Sequence, residues 1–270
     1  MSKLRLGIVA VGYQCLRLCE TLAPFVTLKC GVYDQDKGQY ILEPHPELDI
    51  KIAVCAGLFK ERWDAGEVYD NELNGNLLKA YEESGAIDKF IEVKEPILDF
   101  ESRNYCWNYL QQFKPEVVMQ SDIYDEFYTT LEIVKIINFV KNNPLVDTFH
   151  VRFRNYFGVD KPKKYVLDFC PPRINWNNRR GGIKRFYWDN FLEYESGQQS
   201  QVLSKMDIPV SVARPTHLSW VGSLEFLQKK RNYQIKALGH CSYCFKDGEI
   251  IIDEEYYKKL GIPLPEIHEA

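Results

Sequence analysis

The densest chemistry in the chain lies in Ser121-Asp122-Ile123-Tyr124-Asp125-Glu126-Phe127, directly after the apolar run Val117-Val118-Met119. Carboxylates grouped so closely can hold a hard divalent cation, Mn2+ or Mg2+. Such a cation can neutralise the charge that builds on a diphosphate leaving group. The same residues also fit a solvated acidic loop ahead of a helix, with Asp125 and Glu126 favouring the positive end of its dipole. Further along comes Thr216-His217-Leu218-Ser219-Trp220-Val221-Gly222, after a strand pattern and before a helical one. A histidine there can complete a metal's coordination, or it can simply stand at a helix start capped by Ser219.

A third group is basic. From Val151 to Asn190, ten Lys and Arg stand against three Asp, so this segment is +7 while the whole chain is −4. Within it Arg173, Trp176, Arg179, Arg180, Lys184 and Arg185 interleave cations, amides and aromatic rings. Phosphate contacts plus stacking platforms are what a nucleic-acid acceptor needs, and Trp220 is a further ring assigned to the acceptor. A basic loop cradling a diphosphate, or a plain solvated surface, would use the same residues. Activation of an acceptor hydroxyl calls for a carboxylate within hydrogen-bond reach. Asp189, Glu193 and Glu195, between the two metal motifs, are the candidates; all three also fit surface carboxylates balancing the basic segment.

These groups need a scaffold. At 270 residues, 45% hydrophobic and 27% charged, the chain has the composition of a globular protein with one sizeable core. No segment approaches the length needed to span a bilayer. Leu6–Gly12 is too short for a signal peptide and reads as a first strand. The eight cysteines lie mostly in apolar stretches, the pattern of reduced, buried thiols in a cytoplasmic protein. Cys241-Ser-Tyr-Cys244 is a lone CxxC without the second ligand pair of a zinc site.

The first half alternates strand and helix patterns. Leu4–Val11 is a strand, and Tyr13–Leu22 a helix that stops before Pro24. Val26–Tyr33 and Lys51–Leu58 are strands, followed by a helix over Asn76–Ser84 closed by Gly85. Phe90–Val93 is a short strand. A helix capped by Asp99 or Ser102 runs to about Phe113, then come the buried strand at 117–119 and a helix over Thr130–Val140. This order predicts an α/β fold with a mainly parallel, doubly wound sheet and ligands beyond the carboxyl ends of its strands. After residue 145, Thr148–Tyr156, Tyr165–Phe169 and Pro209–Ala213 read as strands without crossover helices, and Gly222–Leu238 as a last helix.

Asp125-Glu126-Phe127-Tyr128 after a hydrophobic strand, then His217-Leu218-Ser219-Trp220-x-Gly222 leading into a Lys-rich helix, resembles the small GT-A glycosyltransferases. It is similar to the bisecting N-acetylglucosaminyltransferase family and to related enzymes of large bacteriophages. The resemblance runs over roughly residues 1–240 and includes Arg103-Asn104, where such enzymes carry a basic or amide pair near the donor nucleotide. It implies a GT-A-like Rossmann-type fold in one domain: a nucleotide-sugar half at 1–145, a metal and acceptor half at 146–240 with antiparallel strands, and a C-terminal extension at 241–270. It implies a UDP-sugar as donor, with Ala10, Val11, Gly12 and Tyr13 holding the base, Mn2+ or Mg2+ on Asp125 and His217, and Asp122 at the ribose or the metal's water shell. The family's Asp-x-Asp-Glu is one residue longer here, Asp122-Ile-Tyr-Asp125-Glu126. Some phage enzymes of this kind glycosylate hydroxymethylated DNA bases, so DNA is one acceptor and a glycan or surface polymer the other. A nucleotidyltransferase and a non-catalytic nucleotide-sugar-binding protein fit the same motifs.

Overall fold

The computed structural model describes residues 2–12, 17–37, 39–57, 72–167, 169–188 and 191–270. Strands in chain order are β1 (Leu4–Gly12), β2 (Val32–Asp34), β3 (Gln39–Leu42), β4 (Leu48–Ala56), β5 (Lys89–Glu92), β6 (Val117–Asp122), β7 (Glu126–Phe127), β8 (Thr148–His150) and β9 (Arg154–Val159). They continue as β10 (Lys164–Val166), β11 (Pro172–Trp176), β12 (Ile183–Trp188), β13 (Phe191–Tyr194), β14 (Lys205–Asp207), β15 (Thr216–Gly222), β16 (Tyr243–Lys246), β17 (Glu249–Ile252) and β18 (His268–Glu269). The helices are α1 (Leu18–Cys30), α2 (Glu72–Glu83), α3 (Asp99–Leu110), α4 (Thr130–Lys141), α5 (Leu224–Leu238) and α6 (Glu254–Leu260).

The continuous apolar run in β1 is buried on both faces, as an interior parallel strand must be. It pairs in parallel with β4 on one side and β6 on the other. The full sheet has the order β14-β8-β11-β6-β1-β4-β5. Only β11 runs against its neighbours. Alternation along β1 splits the core between two faces. Leu6, Ile8 and Ala10 join Leu22 and Phe25 of α1 and Ile133 and Ile137 of α4. Val9 and Val11 point the other way, onto Cys106, Trp107 and Leu110 of α3 and onto Phe186 and Leu192 of the β12–β13 hairpin. The fold is therefore α/β, with a large, mainly parallel sheet covered by helices on both faces.

A second sheet, β18-β10-β9-β15-β7, mixes one parallel pairing with antiparallel ones. Phe157 and Trp220 from this sheet pack with Leu227 of α5 and with Tyr243 and Ile250 of the β16–β17 hairpin. No helix among the described residues is long and apolar enough to cross a membrane.

Several predicted elements differ. The first helix does not stop before Pro24: α1 runs through it, with Leu18, Leu22, Phe25 and Leu28 buried on one face, and ends at Gly31, whose φ of 73° favours glycine. Val26–Cys30 thus belongs to a helix whose apolar positions also happened to fit an alternating pattern. α3 begins after Leu98, whose N–H donates to the Glu101 carboxylate at 2.7 Å, rather than at an Asp99 or Ser102 cap. Thr148–Tyr156 is two strands in two sheets, and Pro209–Ala213 is a turn in which Val212 N–H donates to the Pro209 carbonyl at 2.8 Å. The basic segment from Val151 to Asn190 carries two further strands, β11 and β12.

Candidate functional site

The acidic and histidine motifs are brought together by strand pairing. β7 lies antiparallel to β15 with Glu126 opposite His217, and Leu218 N–H donates to the Asp125 carbonyl at 2.9 Å. The histidine motif is itself strand β15. The helix cap is Ser223, whose hydroxyl accepts from Phe226 N–H at 3.2 Å, and Ser219 has no part in it. On the other side of β15, Asn155 of β9 is the partner of His217 in the parallel register.

The three carboxylates have separate environments. Asp122 ends β6 between two buried guanidiniums: Arg103 donates to its Oδ1 and Arg173 to its Oδ2, each at 2.7 Å. Burial alone would raise this carboxyl, but the charges of Arg103 and Arg173 hold it below the usual value. Glu126 is fully buried, with Arg173 Nε donating to its two oxygens at 2.9 and 3.1 Å, and it accepts Asp122 N–H at 3.1 Å. Burial, opposed by Arg173 and reinforced by the neighbouring Asp122 charge, pushes its carboxyl up to about 8. Arg103 also reaches Asp99 at 3.1 Å, so one ionic chain joins α3, β6, β7 and β11.

Asp125 is different. Both of its oxygens are buried, and neither has a hydrogen-bond partner among the described residues. His217 Nε2 lies 3.3 Å from its Oδ2. His217 Nδ1 is 2.7 Å from Asn155 Oδ1, while the Asn155 amide donates to the Tyr243 hydroxyl at 3.0 Å. An amide oxygen only accepts, so Nδ1 carries a hydrogen; Nε2 donates to Asp125 in the imidazolium and presents a lone pair in the neutral ring. Phe169 stacks on the imidazole with centroids 4.4 Å apart. Two carboxylate oxygens and, in the neutral ring, one imidazole nitrogen come together here, a donor set that a divalent cation can use.

Beside this point opens a cavity of about 430 Å³. Asp122, Arg173, Asn155, His217, Phe169, Phe191, Trp220, Lys230 and Tyr243 are among its lining residues, and Asp125 is not. Lys230 donates to the Ser219 carbonyl at 2.7 Å and sits 5.2 Å from the Trp220 ring centroid.

The other predicted site residues are placed as follows. Ala10 and Val11 are fully buried at the end of β1, with Val11 next to Asp122 in register; Tyr13 and Asp189 lie outside the described residues. Asn104 is engaged in structure: its side chain donates to the Phe186 carbonyl at 2.7 Å and accepts Phe186 N–H at 2.9 Å. Glu193 is off the cavity wall, and its oxygens take Lys184 at 2.9 Å and Arg185 at 2.7 Å. Those hydrogen bonds hold its carboxyl below the usual range, a poor setting for a base. Arg173 is paired with Asp122 and Glu126 and lines the cavity rather than an outer basic face, and Trp176 is buried in the main core.

The basic surface is correspondingly diminished. Arg152 pairs with Asp207, Lys163 with Glu249, Lys164 with Glu269, Arg173 with Asp122 and Glu126, Arg179 and Arg180 with Asp147, and Lys184 and Arg185 with Glu193. Every one of those acids lies outside the Val151–Asn190 segment. The surplus charge of the segment is met by the rest of the chain. Sequence reasoning missed Asn155, Phe169, Lys230 and Tyr243; an isolated amide or ring carries no signal until strand register sets it beside His217.

No family model and no curated protein matches the chain. Among solved structures it is similar to S. aureus TarS residues 1–349, at 10% identity and a TM-score of 0.42 over 88% of this chain and 66% of that one. A longer S. aureus TarS structure gives the same identity and TM-score, this chain covering 40% of it. A third, of TarS 1–349 in complex with UDP-GlcNAc, again gives 10% identity and 0.42, with 67% of that chain covered.

Proposed function

We propose that the chain is a metal-dependent glycosyltransferase that uses a nucleotide-sugar, a UDP-sugar by preference, as donor. The observation that carries this reading is Asp125. Among the described residues its two buried oxygens have no hydrogen-bond partner, and Oδ2 lies 3.3 Å from Nε2 of His217, a residue that lines the cavity. The motif resemblance to small GT-A enzymes supports the same assignment. Asp125 and His217 would hold Mn2+ or Mg2+, which supplies charge neutralisation at a diphosphate leaving group. Asn155 fixes the imidazole tautomer. Arg103 and Arg173 keep Asp122 ionised and immobile in the cavity lining, and the aromatic lining residues restrict water around the bound ligand. In this reading Ala10–Tyr13 border the base and Trp220 offers a ring to a sugar. A DNA acceptor loses its support where the basic segment is internally paired, so a glycan or polymer hydroxyl is the acceptor class proposed.

Incubation with Mn2+ and a panel of nucleotide-sugars, reading release of the nucleoside diphosphate, tests this. Turnover is expected with one donor, lost in chelator and lost in Asp125→Ala with the fold retained by circular dichroism. Undiminished turnover in chelator, or in that variant, would overturn it.

A further inference from the structure

The edge of the large sheet assembles a second set of metal-ligand types. His150, Cys170 and Asp207 place a ring nitrogen, a sulfur and a carboxylate oxygen all within 4.8 Å of one another. They come from three adjacent stretches of backbone. His150 ends β8, Asp207 ends β14 and is its direct partner in the parallel ladder, and Cys170 lies two residues before Pro172, the partner of His150 in β11. Backbone hydrogen bonds fix both flanks: Ile208 N–H donates to the His150 carbonyl at 2.8 Å, and Val151 N–H to the Pro171 carbonyl at 3.0 Å.

The imidazole is aimed from behind. His150 Nδ1 is 3.2 Å from the Cys170 carbonyl oxygen, which only accepts, so Nδ1 bears the hydrogen and Nε2 presents a lone pair. Arg152 holds Asp207 through Oδ2 at 3.0 Å, which orients the carboxylate. Burial, with the Asp207 charge adding to it, pushes the Cys170 thiol up to about 11. The thiol therefore keeps its proton until a cation displaces it.

We propose that His150, Cys170 and Asp207 form a binding site for a borderline-soft divalent ion of the Zn2+ class, with water as fourth ligand. Thiolate with imidazole favours zinc or cobalt over the hard cations that carboxylates alone would select. On binding, a metal–sulfur bond forms and the thiol proton passes to solvent, with no change of oxidation state. The site has a structural consequence: Cys170 follows Phe169, whose ring stacks on His217. An ion on Cys170 pins the segment that backs this histidine. This inference does not rest on the glycosyltransferase reading.

Cobalt(II) titrated into the metal-free full chain tests it, because a thiolate ligand gives a charge-transfer band that oxygen and imidazole ligands do not. The band is expected at one equivalent and is expected to disappear when Zn2+ is added. Cys170→Ser and His150→Ala should each weaken binding at least tenfold, the first also removing the band. Cys241→Ser/Cys244→Ser and Asp125→Ala should keep it. No band in the parent protein, or a band that survives Cys170→Ser, overturns the site.

Discussion

Asp122, Asp125 and Glu126 differ in what donates to them. Asp122 accepts from Arg103 and Arg173 and Glu126 from Arg173, whereas among the described residues Asp125 has the His217 nitrogen beside it and no hydrogen-bond donor. Removing one side of the buried Arg173 pairing would strand a charge, so these two acids are tied to stability as well as to the site. Asp125 is not. What tunes it is the orientation of His217, and that depends on Asn155. Asn155→Ala is expected to weaken Mn2+ binding about 10- to 100-fold, the usual effect of losing a partner behind a ligating imidazole. Titrating Mn2+ against nucleoside diphosphate binding measures this. An unchanged Mn2+ affinity would mean that His217 is a plain partner of Asp125 and no ligand. The acidic motif and His217 were legible as residue types in sequence. That Arg173 would neutralise two of the three acids was not, because a buried arginine and a surface one have the same letter.

At the scale of elements, the parallel core was readable and its edges were not. β1, β4, β5 and β6 fell near their expected places because uninterrupted apolar runs ended by turn residues leave few alternatives. α1 extends past the stop that Pro24 signals because Leu18, Leu22, Phe25 and Leu28 are buried at helical spacing on either side of it. The β12–β13 hairpin was hidden by its charges: Lys184, Arg185 and Glu193 pair along its outer side while Phe186 and Leu192 face the core. The device that docks this hairpin is Asn104 of α3, which takes both backbone groups of Phe186 as a neighbouring strand would. Asn104→Ala is expected to cost about 2 kcal/mol, since two partly buried backbone groups lose their partner. Urea denaturation reads that loss. A residue that only touched a nucleotide would, when replaced, leave the midpoint unchanged and weaken donor binding instead.

Over the whole molecule, charge is distributed so that distant parts of the chain neutralise each other. The +7 segment and its acidic complement were visible in composition, and they suggested a polyanion docked on one face. The structure closes most of that imbalance internally. Arg179 and Arg180 are the clearest case, because their shared partner Asp147 is fully buried, while they are themselves 25% and 36% exposed. Burial would raise the Asp147 carboxyl, but the Ser204 hydroxyl and the two arginines hold it below its ordinary value. Its ionisation therefore favours the fold above the unfolded carboxylate pKa of about 3.9, and that contribution is lost as the pH falls through the folded value. Reversing both arginines to Glu strands this carboxylate beside two like charges. The expected cost is on the order of 2 kcal/mol, below the figure for a fully buried pair because the arginines are partly in water. Chemical denaturation at pH 7 measures it, and the deficit should shrink as the pH falls through the folded value and Asp147 takes up its proton. The parent protein should at the same time show only weak duplex DNA binding. Tight binding with a steep salt dependence, abolished by the reversal at unchanged stability, would instead mean that these arginines face a polyanion.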